Sequence, residues 1–408
     1  MIKHRKNCRG CFSEKVTEFL DLGNMPLAGG FLSLQEIEKE KKFPLKVYFC
    51  EECGLVQILD VVSPEVLFKN YFYVSSVIKS LSEHFKEFSL FLKKNYLKSP
   101  FSKLLEIGCN DGVLLQYLRN RKVYGIDPSD NVSKIAKEKG LKVWTAYFNQ
   151  KTAKEMLLKI GQVDLVTGSN VFAHVDDIHE IIKAAKIILK PQGVFIVEVH
   201  YLKDLLDKLQ YDTIYHEHLC YYSVKALKKI FSIEGMKIID VMHLEMHGGG
   251  IRVVTTSNDS NFKIKPSVNE FIKNERGINL RNLKNFRKKV EKHRKQLVLL
   301  LKKIKKSNKN VVGYGAPGRG TILLNYCDIG KDFLDYIVDV SPLRSGKLMP
   351  GVHVPIVNPQ VAREAVPDYF LVLAWNYALS ILDQEKELMK KGAKFIIPFP
   401  QIKIIHKI

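Results

Sequence analysis

The sequence predicts an α/β protein in three parts: a small cysteine-stapled N-terminal module, a central Rossmann-like domain and a second Rossmann-like α/β domain at the C-terminus. Three observations carry this expectation. Two Cys-x-x-Cys pairs lie near the N-terminus, short apolar runs alternate with helical stretches from Leu104 onward, and the alternation resumes at NVVGYGAPGRG, residues 310–320. The boundaries follow as 1–70 for the module, 71–260 for the central domain, and 261–408 for a helical linker with the C-terminal domain.

In the module, Cys8-x2-Cys11 and Cys50-x2-Cys53 offer four thiolates. The x2 spacing puts both sulfurs of a pair on one tight turn, as a tetrahedral zinc bound at about 2.3 Å from sulfur requires. A structural Zn2+ would staple a segment too loop-rich to hold itself together, as GNMPLAGG (23–30) indicates. With all four positions filled by sulfur, no place remains for a catalytic water. Cys109, Cys220 and Cys327 are expected to be packed thiols.

Residues 78–97 are predicted to be helical. The runs KLLEIG, VLLQYLRN, KVYGID, VSKIAKEKG, VDLVTGSN, DIHEIIKAAKIILK and GVFIVEV then alternate as strands and helices of a parallel sheet covered on both faces. MKIIDVMHLEMHGGGIRVVTTS reads as the closing antiparallel strands. Further on, LDYIVDVSP, DYFLVLAW and KFIIPFP supply the strands of the last domain.

The chain has 408 residues, 46% hydrophobic and 26% charged, which suits an enzyme-sized globular protein. Its N-terminus runs from charge into cysteine with no apolar stretch, so neither a signal peptide nor a membrane anchor is expected and the cytoplasm is the expected location. The net charge of +21 would attract nucleic acid or phosphate-bearing metabolites. Much of the excess is Lys in the stretch 284–310, where apolar residues recur at helical spacing, so a solvated basic helix is preferred to a nucleic-acid footprint.

In Glu106-Ile-Gly108-Cys-Asn110-Asp111-Gly112 the chain leaves a strand, turns on glycines and enters a helix, which lets a ligand lie against bare backbone. Glu106 can meet a cationic amino group. Asp127, ending the next strand, can accept both hydroxyls of a ribose, and Asn170 in GSNVFAHV would face the same crevice. A dinucleotide loop here would need Gly-x-Gly-x-x-Gly, which is absent. These residues together resemble class I methyltransferases, and the resemblance implies S-adenosylmethionine held by Glu106, Gly108, Asn110, Asp111, Gly112, Asp127 and Asn170.

Tyr215-His216-Glu217-His218 packs two imidazoles, a phenol and a carboxylate just after the predicted fifth strand. Histidine is the side chain best suited to take a proton near neutral pH, and a carboxylate can orient it. His-x-His is one residue short of the metalloprotease spacing His-Glu-x-x-His, so no second metal site is expected. With the following Tyr-Tyr-Ser, the cysteine pairs, NYFYVSS (70–76), LEIGCNDG, GIDPS, NVFAHV, HGGGIR and GYGAPGRG, this turn resembles the nucleotide-sugar C-methyltransferases. The resemblance covers nearly the whole chain, in order.

It implies a transferase of the EC 2.1.1 class in which three domains enclose an NDP-4-keto-deoxysugar, with a dTDP-linked sugar among the candidates, that is methylated at C3 through an enolate. The family's Tyr-x-Glu-His falls on Tyr215, Glu217 and His218, with His218 the base and Glu217 its partner. His174 and either Tyr71 or Tyr73 match other active-site positions. Tyr222, Arg252, Gly315 and Arg319 are the expected substrate contacts, and a monomer suffices. Read alone, Gly313-x-Gly315-x-x-Gly318 with Asp339 downstream would be a dinucleotide site, so an NAD(P)-dependent oxidoreductase is the chief rival. An RNA-directed protein is the other, which the charge permits and the proton-carrying cluster disfavours.

Overall fold

The computed structural model describes residues 2–68, 75–77 and 79–407. The chain forms two compact units, each drawn from separate stretches: Met1–Thr17, Phe49–Lys203 and Leu219–Asn279 in the first, Glu18–Tyr48, Asp204–His218 and Leu280–Ile408 in the second.

The first unit is built on a seven-stranded sheet. Its neighbours run Met236–Leu244, Gly250–Ser257, Leu189–His200, Val163–Ser169, Lys103–Ile107, Lys122–Asp127 and Val143–Thr145. The last five are parallel, whereas Gly250–Ser257 pairs antiparallel with both of its neighbours. MKIIDVMHL and GIRVVTTS are thus the closing antiparallel strands that the sequence predicts. Successive residues of a strand point to opposite faces. Leu105, Phe195 and Val197 accordingly join one apolar cluster, while Leu104, Val194 and Ile196 join another. Both faces are buried under helices, including Lys79–Asn95 on the second.

Local chemistry starts the covering helices. Asn149 and Thr152 form a reciprocal capping box for Gln150–Ile160, Asp177 accepts from the Glu180 amide, and the Ser223 hydroxyl accepts from the Ala226 amide. The neighbour order reverses at Lys103–Ile107 and Val163–Ser169, where the chain crosses from one side of the sheet to the other. Such a switch point opens a crevice outside the strand carboxyl ends.

The cysteine pairs also belong to this unit, on two turns. Strand Ile2–His4 pairs antiparallel with Asp60–Val62, and Val56–Ile58 with Cys220–Tyr221.

The second unit holds a six-stranded sheet ordered Ile356–Val357, Ile337–Val338, Val311–Tyr314, Tyr369–Val372, Lys394–Ile397 and Lys403–Ile405. All but the last strand are parallel. Phe370 and Phe395 stack at 4.8 Å within its core. The helix Leu280–Lys306 buries Leu283, Phe286, Val290, His293, Leu297, Leu301 and Ile304, a three-four spacing that makes one apolar face. Its lysines occupy the remaining faces, so the basic stretch is a packed amphipathic helix. Among the described residues no helix is long and apolar enough to cross a membrane.

Candidate functional site

Four sulfurs converge in the first unit. Cys8, Cys11, Cys50 and Cys53 place their Sγ atoms within 4.8 Å of one another, with Cys8–Cys53 at 3.6 Å and Cys11–Cys50 at 3.5 Å. A tetrahedron with bonds of about 2.3 Å has edges of about 3.8 Å, so the set fits zinc. The Gly10 amide donates to Cys8 Sγ at 3.3 Å, support of the kind that keeps a sulfur in its thiolate form. The zinc this centre holds is structural.

At the switch point the strand Lys103–Ile107 delivers Glu106, and the loop after it turns through Gly108, Asn110 and Gly112, all at positive φ. A Cβ on Gly112 would lie 2.2 Å from Leu141 Cδ1 in a conformation that L residues rarely adopt, so only glycine serves there. Asp127 ends the neighbouring strand. Its Oδ2 accepts from the Asn110 amide and its Oδ1 from the Ser129 amide, both at 2.9 Å. Asn170, also at positive φ, follows Val163–Ser169 and donates its amide to the Glu198 carbonyl.

Acid crowds this crevice. Glu106, Asp111, Asp127 and Glu198 are all buried. Burial first, then the charges of Asp127, Glu198 and Asp111, push the Glu106 carboxyl well above its usual range. Its Oε2 is buried without a hydrogen-bond partner among the described residues. Burial likewise raises Asp127 against the backbone amides that favour its anion. A cation that enters relieves this cost, and S-adenosylmethionine brings two, its ammonium and its sulfonium. Asp111 differs from the rest, because Lys139 Nζ meets its Oδ2 at 2.7 Å.

Glu198 and His84 carry no motif that the sequence would reveal. Glu198 Oε1 accepts from Arg252 Nε at 2.8 Å, while its Oε2 lies 2.9 Å from His84 Nε2 and 2.8 Å from Ser169 Oγ. Burial alone would raise this carboxyl. The His84 bond and the Arg252 charge outweigh it and hold the group down at about 2. A small cleft lies against Leu81, His84, Phe85, Asn170 and Glu198.

Two expected substrate contacts change meaning here. Arg252 is buried, paired with Glu198 and stacked 3.9 Å over the Phe88 ring, so its guanidinium is engaged in an internal ion pair. Tyr222 is fully buried and donates its hydroxyl to the Phe172 carbonyl at 2.8 Å. It supports the 3₁₀ turn Phe172–His174, which presents His174 half-buried. Tyr71 and Tyr73 lie outside the described residues.

In the second unit, Tyr215-His216-Glu217-His218 forms a turn, closed by the His218 amide donating to the Tyr215 carbonyl at 2.8 Å. The Tyr215 and His218 rings lie 4.0 Å apart. His218 Nδ1 donates to the Thr213 carbonyl at 2.9 Å, which assigns the proton of the neutral ring to Nδ1 and makes Nε2 the basic nitrogen. His216 is buried and donates Nε2–H to the Pro44 carbonyl, a packing role. Burial pushes the Glu217 carboxyl up to about 7, against hydrogen bonds from its own amide and that of Gly29.

The GNMPLAGG turn joins the glycine loop. Thr321 Oγ1 donates to the Ala28 carbonyl at 3.2 Å, from the helix Gly318–Cys327 that follows Gly315. A Cβ at Gly315 would lie 2.7 Å from that of Ala374. Arg319 stands 5.1 Å over the Trp375 ring, and Trp375 Nε1 donates to Asp212 Oδ2 at 2.6 Å. Burial raises Asp212 to about 6, opposed by the Arg319 charge and the Trp375 bond. Sequence patterns single out neither Asp212 nor Trp375. Asp339 accepts from the Ala316 amide at 2.6 Å and from the Ser341 amide at 2.8 Å, with Arg344 Nη1 3.2 Å away.

Family comparisons match the chain in three successive segments. Residues 8–68 match a zinc binding domain, 77–241 a methyltransferase domain and 245–400 a C-methyltransferase C-terminal domain. A ubiquinone biosynthesis O-methyltransferase of Bartonella bacilliformis is 26% identical over 35% of this chain and 63% of its own. An S-adenosylmethionine-dependent methyltransferase structure from Clostridium acetobutylicum aligns with 42% of this chain and 92% of its own at 19% identity, with a TM-score of 0.35. C-methyltransferase NovU of Streptomyces niveus is 35% identical over 404 residues, 98% of this chain and 96% of that one. With that likeness running through the metal centre, the acidic crevice and the C-terminal unit alike, the chain belongs to the S-adenosylmethionine-dependent C-methyltransferases.

Proposed function

We propose that the protein methylates a carbon beside the ketone of a nucleotide-linked 4-keto-deoxysugar, at C3, by way of an enolate. The observation that carries this reading is the tautomer of His218. With Nδ1–H committed to Thr213, Nε2 is held as a base, stacked with a phenol and next in sequence to a carboxyl near neutrality. Methylation of a carbon requires a C–H proton to leave. A base of this kind can remove one only where a neighbouring carbonyl accepts the charge.

S-adenosylmethionine supplies a methyl group on a sulfonium, electrophilic without any metal. Glu106 and Asp127 hold it through its ammonium and ribose. His218 Nε2 takes the proton beside the ketone, and ionised Glu217 stabilises the imidazolium that forms. His174 and Tyr215, with Tyr71 or Tyr73, donate to the enolate oxygen. Arg319 offers a charge to the diphosphate, and the zinc takes no part in the chemistry. The donor-binding acids belong to one unit and the proton-handling turn to the other.

The test is mass spectrometry of enzyme, S-adenosylmethionine and a dTDP-4-keto-6-deoxysugar in heavy water. Gain of one CH2 unit together with deuterium exchange beside the ketone is expected. Methylation without any exchangeable position beside a ketone would refute the enolate route. His218→Ala should lower turnover by about a thousandfold while S-adenosylmethionine affinity stays within about twofold. Turnover near wild type would remove His218 from the mechanism.

A further inference from the structure

The knuckle that carries Cys8 and Cys11 is tied to the first unit by more than metal. Arg9, between those cysteines, has a side chain with no solvent exposure. Its Nη1 donates to the carbonyls of Ile58 at 2.7 Å and Leu219 at 2.9 Å, and more distantly to Gln57 Oε1 at 3.4 Å. Nη2 and Nε reach Asp176 Oδ1 at 3.3 and 3.4 Å, and Arg5 Nη1 meets the same oxygen at 2.9 Å. His179 bridges the Gly10 carbonyl and Glu234. A guanidinium buried this deeply is tolerated only where charge and hydrogen bonds are supplied together, so its geometry is tightly set.

What Arg9 grips is informative. Leu219 follows His218 directly in the chain. Its carbonyl accepts from Arg9, and its amide donates to the Ala173 carbonyl at 2.6 Å, one residue before His174. The Ile58 amide adds a second donor to the Leu219 carbonyl at 2.9 Å. Tyr222, three residues on, holds the Phe172 carbonyl. The Leu219 peptide is therefore fixed at one end by the cysteine knuckle and at the other by the turn that carries His174.

We propose that Arg9 is a positioning residue for catalysis: it transmits the shape of the metal-held knuckle to the Leu219 peptide, and so to the exit of the Tyr215–His218 turn and to the Phe172–His174 turn. The inference rests on the roles given above to His174 and His218. Zinc then matters to turnover through backbone placement, since misplacing a catalytic group by about 1 Å can cost about a hundredfold.

The experiment compares Arg9→Met, Arg9→Lys and Asp176→Asn with wild type in four readings: zinc per chain, S-adenosylmethionine affinity, amide hydrogen exchange of peptides spanning 172–176 and 214–222, and kcat with KM. Arg9→Met should keep its zinc and its S-adenosylmethionine affinity. Exchange in both peptides should accelerate about tenfold and kcat should fall at least about tenfold, with acceptor KM within about threefold. Arg9→Lys should recover part of kcat, because an ammonium can still reach one carbonyl, and Asp176→Asn should fall between the two. Wild-type exchange, or wild-type kcat, in Arg9→Met overturns the proposal. Should that variant lose zinc or fail to fold, unchanged exchange and kcat in Asp176→Asn overturn it equally. If wild type turns over no keto sugar, the functional reading fails separately, and amide exchange alone decides the role of Arg9.

Discussion

Asp127 and Asp339 occupy corresponding places in the two sheets. Asp127 ends, and Asp339 directly follows, a strand that pairs with the first strand of its sheet in chain order; each takes one amide from the loop after that first strand and a second from a serine two residues on. The turns even share the sequence Asp-x-Ser. The difference is charge. Arg344 sits 3.2 Å from Asp339, whereas no cation pairs with Asp127 among the described residues, and Glu106, Asp111 and Glu198 crowd the same crevice. Two loops of the same shape thus differ in whether the protein satisfies its own acid, and the unsatisfied one suits a cationic ligand.

That contrast can be broken most severely inside the first unit, where Glu198 is the compensated acid. Arg252→Met strands a buried carboxylate and should lower unfolding free energy by about 3–5 kcal/mol in urea denaturation. Arg344→Met, at a partly exposed pair, should cost about 1 kcal/mol or less. Equal losses would mean that the two acids are not differently housed.

Ligand affinity gives the next largest effect. Asp127→Asn and Asp339→Asn each remove one acceptor from an equivalent pair of amides, so they are matched. By calorimetric titration the first should weaken S-adenosylmethionine about a hundredfold and the second by less than about twofold. Comparable weakening would break the comparison. Detectable NADH binding that Asp339→Asn removes would reinstate a dinucleotide site in the second unit.

The smallest effects concern pH. Burial raises Glu106 and Asp127, so each holds its proton to a higher pH than a free carboxyl, and a cation is bound best by their anions. S-adenosylmethionine affinity should therefore rise as pH rises through the raised values and then level off, by at most about tenfold per unit for each proton released. Glu217 sharpens the picture from the other unit. Turnover should rise as its carboxyl ionises near pH 7, and Glu217→Gln should flatten that limb of the pH–rate profile.

The parts that were legible in the sequence are those written locally. The cysteine spacing gives four convergent sulfurs, and alternating apolar runs give strands whose residues divide between two faces, as Leu104 and Leu105 do. Asp127 could be singled out because a strand end and a glycine loop place it. Long-range pairing hid the rest. Arg252 reads as a substrate contact in the sequence, whereas in the structure Glu198, 54 residues away, meets it; Tyr222 reads likewise, and its hydroxyl goes to Phe172. Arg9, Asp212 and Trp375 carry no motif because their partners lie far off in the chain, Leu219 being 210 residues from Arg9 and Trp375 163 from Asp212. The interleaving of stretches in the two compact units is likewise written in no local pattern.

That interleaving bears on how the chain is made and cut. The polypeptide passes from one unit to the other five times, after residues 17, 48, 203, 218 and 279. A ribosome that has emitted the first 279 residues has released every part of the first unit. It has also released two stretches, 18–48 and 204–218, whose own unit awaits the remaining third of the chain. Until then those stretches lack the greater part of their unit. No single scission separates the two halves into independent pieces, so dissection of this enzyme at a domain border should yield insoluble fragments where a beads-on-a-string chain would yield folded ones.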